Sequence, residues 1–210
     1  MEELVTCEGT VHSIIFQNAE NGYTVLRLLT EEGEVITVVG CIPCVAPGEH
    51  LAVSGVPETH PQHGEQLRAV ELERSLPEDE EEIFSYLSSG ICKGVGPATA
   101  RRIVERFGAE TLDVLEREPE RLTTLKGVTA RKAQEIAESF RQHMGLRRLM
   151  AFLAQFQLPP VLAMELRRQY GDAALEKVRE NPYLLSGEAC GVEFSVTDGI
   201  AMGMGLAADS

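Results

Sequence analysis

Apolar and polar residues follow two different rhythms along this chain, and the change between them falls near residue 77. Up to Leu76 the apolar residues come in short β-rich runs. Alternation, the period of a half-buried strand, is clearest over Glu34–Val39 and Gln66–Leu72. The runs predict strands over Val5–Phe16, Tyr23–Leu29, Val35–Gly40, Leu51–Val56 and Gln66–Glu73. Turn residues separate them at Asn21-Gly22, Glu32-Gly33, Pro47-Gly48 and His63-Gly64. Five short strands in this length suit a small closed barrel, OB-like as the first choice, with strand order left open.

Pro77-Glu-Asp-Glu-Glu-Glu82 reads as a solvated linker whose carboxylates open a helix, where they complement its N-terminal dipole. Ile83 and Leu87 are the expected buried side of that helix. From Gly90 onward the period is helical. After Pro97 the apolar face is Ala100, Ile103, Val104 and Phe107, closed by Gly108 as C-terminal cap. The same face recurs 33 residues later as Ala133, Ile136, Ala137 and Phe140. The pair then repeats as a unit. Pro97, Gly108, Pro119 and Leu122 align with Pro160, Gly171, Pro182 and Leu185, each 63 residues on. After one inserted residue, Ile136-Ala137 aligns with Ile200-Ala201. The repeat predicts four helix–turn–helix units in two pairs, joined by a helix around Leu146–Phe156. The expected fold class is multidomain α+β: a barrel domain over 1–76, a first helical pair over 77–148 and a second over 149–210.

Charge first counts against a nucleic-acid partner, because the 210 residues carry a formal net charge of -14. The charge is unevenly spread. Residues 1–89 hold 3 Lys/Arg against 17 Asp/Glu, residues 90–148 hold 12 against 8, and residues 149–210 hold 4 against 8. The net-positive segment is the one with the first helical pair, and its turns are Lys93-Gly-Val-Gly96 and Lys126-Gly-Val-Thr129. Glycine permits positive φ and leaves backbone amides uncovered. Pro97 occupies a first-turn position whose N–H would be unpaired in any case. Uncovered amides at a helix N-terminus form a ready anion site. Arg101, Arg102, Arg131 and Lys132 stand within about a turn of these sites. A loop that only reversed the chain would need the glycines but not cations on both sides. The candidate phosphate-binding residues are therefore Lys93, Gly94, Gly96, Thr99, Arg101, Arg102, Lys126, Gly127, Thr129, Arg131 and Lys132.

Gly90–Phe107 and Leu122–Phe140 resemble helix-hairpin-helix motifs, whose hairpins hold the sugar-phosphate backbone without reading sequence. The first copy, GICKGVGPATARRIV, is a close match. The second, LTTLKGVTARKAQEIA, has Thr129 where a second glycine or a proline is common. The third, FQLPPVLAMELRRQYG, and the fourth, CGVEFSVTDGIAMGMG, lack the Gly-Val-Gly turn and its cations, and Arg167 falls where Val104 sits in the first. They are expected to be scaffold.

A wider resemblance rests on Asn21-Gly-Tyr-Thr-Val25, His60-Pro-Gln-His-Gly-Glu-Gln-Leu67 and the hairpin pairs. Together these are similar to the amino-terminal region of bacterial RecD-like ATP-dependent DNA helicases, the RecD/TraA type with a long amino terminus. The resemblance implies an OB-like domain and hairpin modules ahead of a superfamily 1 motor. That motor, using ATP and Mg, moves 5'-to-3' along single-stranded DNA in repair or recombination. The chain has no G-x-x-x-x-G-K-[ST] loop, so the resemblance implies either an amino-terminal fragment whose motor would follow residue 210 or a protein that has lost it, with no cofactor and no catalytic residue in this chain. DNA, held by its backbone, is the expected partner.

Two other readings remain open at this stage. A barrel followed by tandem hairpins also resembles the Holliday-junction-binding subunit of branch-migration machinery, which has no motor. All four hairpins could instead merely pack, as a protein–protein scaffold. Cys41-Ile-Pro-Cys44 with His60 and His63 approaches a zinc spacing, but the histidines are one residue too close and fall within the family-like stretch, so no metal is expected. Residues 1–76 offer only Phe16 and Tyr23 as aromatics, with three basic residues, a poor groove for stacked bases. The barrel is therefore expected to dock on the motor or a partner protein. Five scattered cysteines, no apolar run of membrane length and no leader-like start read as cytoplasmic, with no membrane contact.

Overall fold

The computed structural model describes residues 4–188 and 190–205. Met1, Glu2 and Glu3 of the acidic start, and Leu206 of the expected tail, lie outside them. The chain falls into two compact units, Met1–Arg141 and Gln142–Ser210.

The first unit begins with five strands, β1 (Val5–Gln17), β2 (Tyr23–Thr30), β3 (Val35–Cys41), β4 (His50–His60) and β5 (Gly64–Ser75). They close into a barrel in the order β1-β2-β3-β5-β4, the arrangement expected of an OB-like fold. All pairs are antiparallel except β3 with β5. Every strand lies within a few residues of its sequence-predicted span. β1 is long because it serves two neighbours: Gly9 stands opposite both Thr30 on β2 and Leu51 on β4. A Cβ there would lie 2.3 Å from the Leu29 carbonyl oxygen, so the crossing admits glycine alone. Two bulges, between Val11 and Ser13 and between Ile14 and Phe16, bend β1 around the barrel. Inward residues of all five strands, among them Val11, Leu26, Leu28, Val38, Leu51, Val53 and Leu67, make the core. Beside it Glu49 is fully buried, and Arg74 holds both of its carboxylate oxygens.

The acidic stretch after the barrel differs in part from the expected solvated linker. Helix α1 (Glu80–Tyr86) does open there, with the Asp79 side chain accepting the Glu82 amide at 2.8 Å. Glu82, however, is docked: its Oε1 accepts from Thr10 Oγ1 at 2.9 Å and lies 3.0 Å from His50 Nε2. A Cβ on Gly48 would sit 2.2 Å from the Glu82 carbonyl oxygen, which shows how closely α1 approaches the barrel. Glu82 stands one helical turn before buried Tyr86 and is half-buried, while Glu80 and Glu81 are exposed.

A wide turn over Leu87–Ile91, in which Gly90 takes φ 90°, leads to α2 (Pro97–Phe107) and α3 (Thr111–Arg117). α4 (Ala130–Ala154) follows, then α5 (Val161–Tyr170), α6 (Ala174–Glu180) and α7 (Phe194–Gly203). The 63-residue repeat is visible in the backbone. A short 3₁₀ turn begins at Gly108 and again at Gly171, and a second begins at Pro119 and again at Pro182. Gly108 and Gly171 close their helices with nearly the same dihedrals, φ 55° and ψ -133° against φ 63° and ψ -142°. The separate joining helix is corrected: α4 runs unbroken for 25 residues, carrying the second hairpin's helix into the joining segment. Gly145 is the one weak helix former between Phe140 and Leu146, and a single interior glycine costs about 1 kcal/mol, too little to break a packed helix. No helix among the described residues is long and apolar enough to cross a membrane.

Candidate nucleic-acid interface

The two turns of the first hairpin pair have almost the same backbone geometry. Gly94 and Gly127 take φ 87° and 83°, a region that disfavours any side chain. The next residues, Val95 and Val128, are buried, and each donates its amide at 3.1 Å to a carbonyl three residues back, on Cys92 and Leu125. Each turn then opens a helix, with Ala100 donating to the Gly96 carbonyl at 2.8 Å and Ala133 to the Thr129 carbonyl at 2.9 Å. The packing faces behind them are buried as the periodicity predicts, including Ala100, Ile103, Ala133, Ile136, Ala137 and Phe140.

Their helix starts differ in one respect. Gly96 extends toward α2 with no side-chain cap, leaving the first-turn amides of that helix uncovered. On α4 the Thr129 hydroxyl accepts the Lys132 amide at 3.2 Å, so the second turn is partly self-capped. The departure from the usual motif at Thr129 therefore has a local structural use.

The predicted cations are placed unequally. Lys93 and Lys126 are exposed at matching positions of the two turns, and Lys132 is half-buried. Among the described residues none of these three lysines has an acidic partner, whereas Arg117, Arg121, Arg131 and Arg141 of the same segment each do. Arg131 lies 3.0 Å from Glu135, an exposed pair one helical turn apart. Arg101 stacks its guanidinium over the Phe84 ring at 4.5 Å, which fixes the side chain without neutralising it. Arg102 is exposed, but its donors are spent on the protein: Nη1 donates to the Lys126 carbonyl at 2.6 Å, Nε to the Ala98 carbonyl at 3.3 Å, and Nη2 reaches Thr99 Oγ1 at 3.5 Å. Thr99 itself is buried. One residue that the sequence reading missed also joins the site, since Ser139 Oγ accepts the Lys93 amide at 2.8 Å. Its position three residues after buried Ile136 is the signal that would have found it. Cys92, beside Lys93, is buried, and its thiol is pushed up to about 12 by desolvation, which leaves it a neutral and inert packing group.

The second pair keeps the frame but not the cations. Gly191-Val192 stands 64 residues after Gly127-Val128, with Gly191 at φ 62°, and Cys190 occupies the place of Lys126. Arg167, in the place of Val104, donates to the Gln142 carbonyl and pairs with Asp172 at 3.5 Å. On the barrel, Phe16 and Tyr23 are exposed with ring centroids 6.4 Å apart. Arg68 and Arg74 are paired with Glu58 and Glu49, so among the described residues only Arg27 of the three barrel cations has no acidic partner. His60 and His63 stack on each other at 4.6 Å across the β4–β5 turn. No three His, Cys, Asp or Glu side chains among the described residues group as a metal site.

Comparison with known proteins matches three consecutive segments. Residues 4–77 match the OB-fold domain of the ATP-dependent DNA helicase YrrC. Residues 84–142 match the SAM-like helix-hairpin-helix tandem, and residues 142–210 match the helix-hairpin-helix domain of the ATP-dependent RecD2 DNA helicase. A curated relative, the ATP-dependent RecD2 DNA helicase of Deinococcus radiodurans, is 29% identical over 208 residues, which is 96% of this chain. The chain spans 29% of that relative's length. Among solved structures, the S. pombe Stn1–Ten1 complex is similar at 21% identity over 34% of this chain and 57% of that one, with a TM-score of 0.29, too low to bear on the fold.

Proposed function

We propose that this chain, built as the amino-terminal region of a RecD-like DNA helicase with tandem helix-hairpin-helix motifs, holds DNA by its phosphate backbone through the first hairpin pair. One observation carries the reading. Two turns of matching geometry each present an exposed lysine with no acidic partner among the described residues, in the one segment whose basic residues outnumber its acidic ones. Backbone amides and lysine ammonium groups meet phosphate oxygens, which every nucleotide shares, so binding is independent of sequence. The uncovered amides of α2 make its turn the stronger grip. The second pair, whose turns lack these lysines, is scaffold, and the acidic barrel docks on protein rather than on the strand. In a longer protein the region would serve a motor that supplies ATP hydrolysis and strand movement in repair or recombination.

Fluorescence anisotropy with labelled oligonucleotides of unrelated sequence tests this reading. Similar affinities are expected across sequences. Replacing Lys93, Arg101, Lys126 and Lys132 together by alanine weakens binding more than about tenfold, since a phosphate that meets no cation keeps its counterions. Replacing Arg168 and Lys177 in the second pair leaves it unchanged. Retained binding in the quadruple variant, or weakened binding in the second-pair variant, would place the interface elsewhere.

A further inference from the structure

We infer that Arg102 and Ser139 are positioning residues that tie the two glycine turns to each other, so the first hairpin pair meets DNA as one preset two-turn surface. The inference rests on the phosphate-holding reading above and gives these side chains a part in it other than contact.

Arg102 belongs to α2, which starts in the first turn, yet its Nη1 reaches the Lys126 carbonyl of the second turn at 2.6 Å. The planar guanidinium is held at its other donors by Ala98 and Thr99, so the fork is fixed at both ends. Gly127 packs under it, since a Cβ there would stand 3.9 Å from Nη1, an ordinary contact distance. The opposite tie is made by α4, which starts in the second turn. Its Ser139 accepts the Lys93 amide of the first turn at 2.8 Å, and its Ile136 lies 3.8 Å from where a Gly94 Cβ would be. Each helix thus holds the turn from which the other helix starts. Neither turn can shift without breaking a hydrogen bond to the other hairpin. A surface fixed before binding avoids the ordering cost that two loose turns would meet on the DNA.

Double-mutant cycles by anisotropy, at fixed low salt and well below the melting temperature, separate the possible roles. R102M and S139A are each expected to weaken DNA binding about tenfold, the scale of one well-placed hydrogen bond. Their context should cross over. The effect of R102M shrinks in a K126A background, where the second turn's grip is already weakened, and persists in K93A. S139A shows the reverse, and S139T, which keeps the hydroxyl, restores affinity. Equal weakening in both backgrounds would mark a general structural role and overturn the inference. So would a salt slope reduced by roughly 0.7–0.9 in R102M, which would make Arg102 a direct phosphate contact. Unchanged affinity in both variants would overturn it too. If K93A and K126A themselves leave binding intact, the phosphate reading fails first. If they weaken it while R102M and S139A do not, this inference alone fails.

Discussion

Arg74→Met should unfold the barrel far more readily than any exposed charge change. The Glu49 carboxylate has no solvent exposure, and Arg74 holds it in bidentate fashion, with Nε and Nη2 both 3.0–3.1 Å from Oε2 and Nη2 3.2 Å from Oε1. The same guanidinium donates to the Pro43 carbonyl at 2.9 Å and the Cys44 carbonyl at 3.2 Å, tying the β3–β4 connection to β5. Methionine keeps the apolar stem but strands a buried negative charge and removes a donor from each carbonyl. Breaking a buried, hydrogen-bonded pair from one side costs about 3–5 kcal/mol. In a barrel of this size that corresponds to a melting shift of roughly 12–40 °C. The chain has no tryptophan, so hydrogen exchange read by mass spectrometry is the suitable assay, following opening of β4 and β5 amides. A companion E49M/R74M variant should recover most of the stability, because no lone charge remains. A fall of less than about 1 kcal/mol in R74M, the range of an exposed pair, would refute the reasoning. A double variant as weak as the single would move the cost from the carboxylate to the groups left unpaired, the Pro43 and Cys44 carbonyls and the Ala46 amide that Glu49 Oε1 accepts at 3.0 Å.

Two further outcomes follow from the hairpin turns. Gly94→Ala meets no clash, its nearest neighbour being Ile136 Cγ1 at 3.8 Å, so its cost is the backbone's at φ 87°, about 1–2 kcal/mol. DNA affinity measured by anisotropy should fall several-fold, whereas Gly33→Ala, at φ 84° in the open β2–β3 turn, should carry a similar backbone cost and leave affinity unchanged. Cys92, its thiol pushed up to about 12 by burial, stays protonated in the fold while the unfolded thiol ionises near the ordinary value of 9.0. The unfolded state then binds fewer protons, so this contribution is fully present below about pH 9 and is lost as pH rises toward 12. Denaturant unfolding followed from pH 8 to 11 should show that decline in wild type, and C92A should show less of it.

Much of the fold was legible because burial imposes a period. Short β-rich runs bounded by turn residues located the five strands, with alternation clear in two of them, and the apolar spacing of α2 and the early part of α4 located the hairpins to within a few residues. What periodicity cannot express is a contact between distant segments. The barrel's closing order depends on the β1–β4 and β3–β5 pairings, which no local pattern encodes. The apolar face thins out after Phe140, which makes the joining helix look separate, although nothing between Arg141 and Gly145 stops a helix. Glu82 reads as one of a run of solvated acids because its partners, Thr10 and His50, lie 72 and 32 residues away. Arg102 reads as another cation beside a turn, and only the Lys126 carbonyl, 24 residues on, separates its role from that of Arg101. Residue type marked the candidate site, and tertiary contacts distinguish the side chains within it.

The central claim is that the two matched turns hold phosphates with Lys93 and Lys126, and the salt dependence of DNA binding tests it most directly. Plotted as log affinity against log salt concentration, the wild-type chain should give a linear fall whose slope counts the phosphates neutralised. The K93A/K126A variant should bind more weakly and lower that slope by roughly 1.4–1.8, the share of two phosphates. An unaltered slope in the double variant, at whatever affinity, would mean that these turns do not grip the backbone.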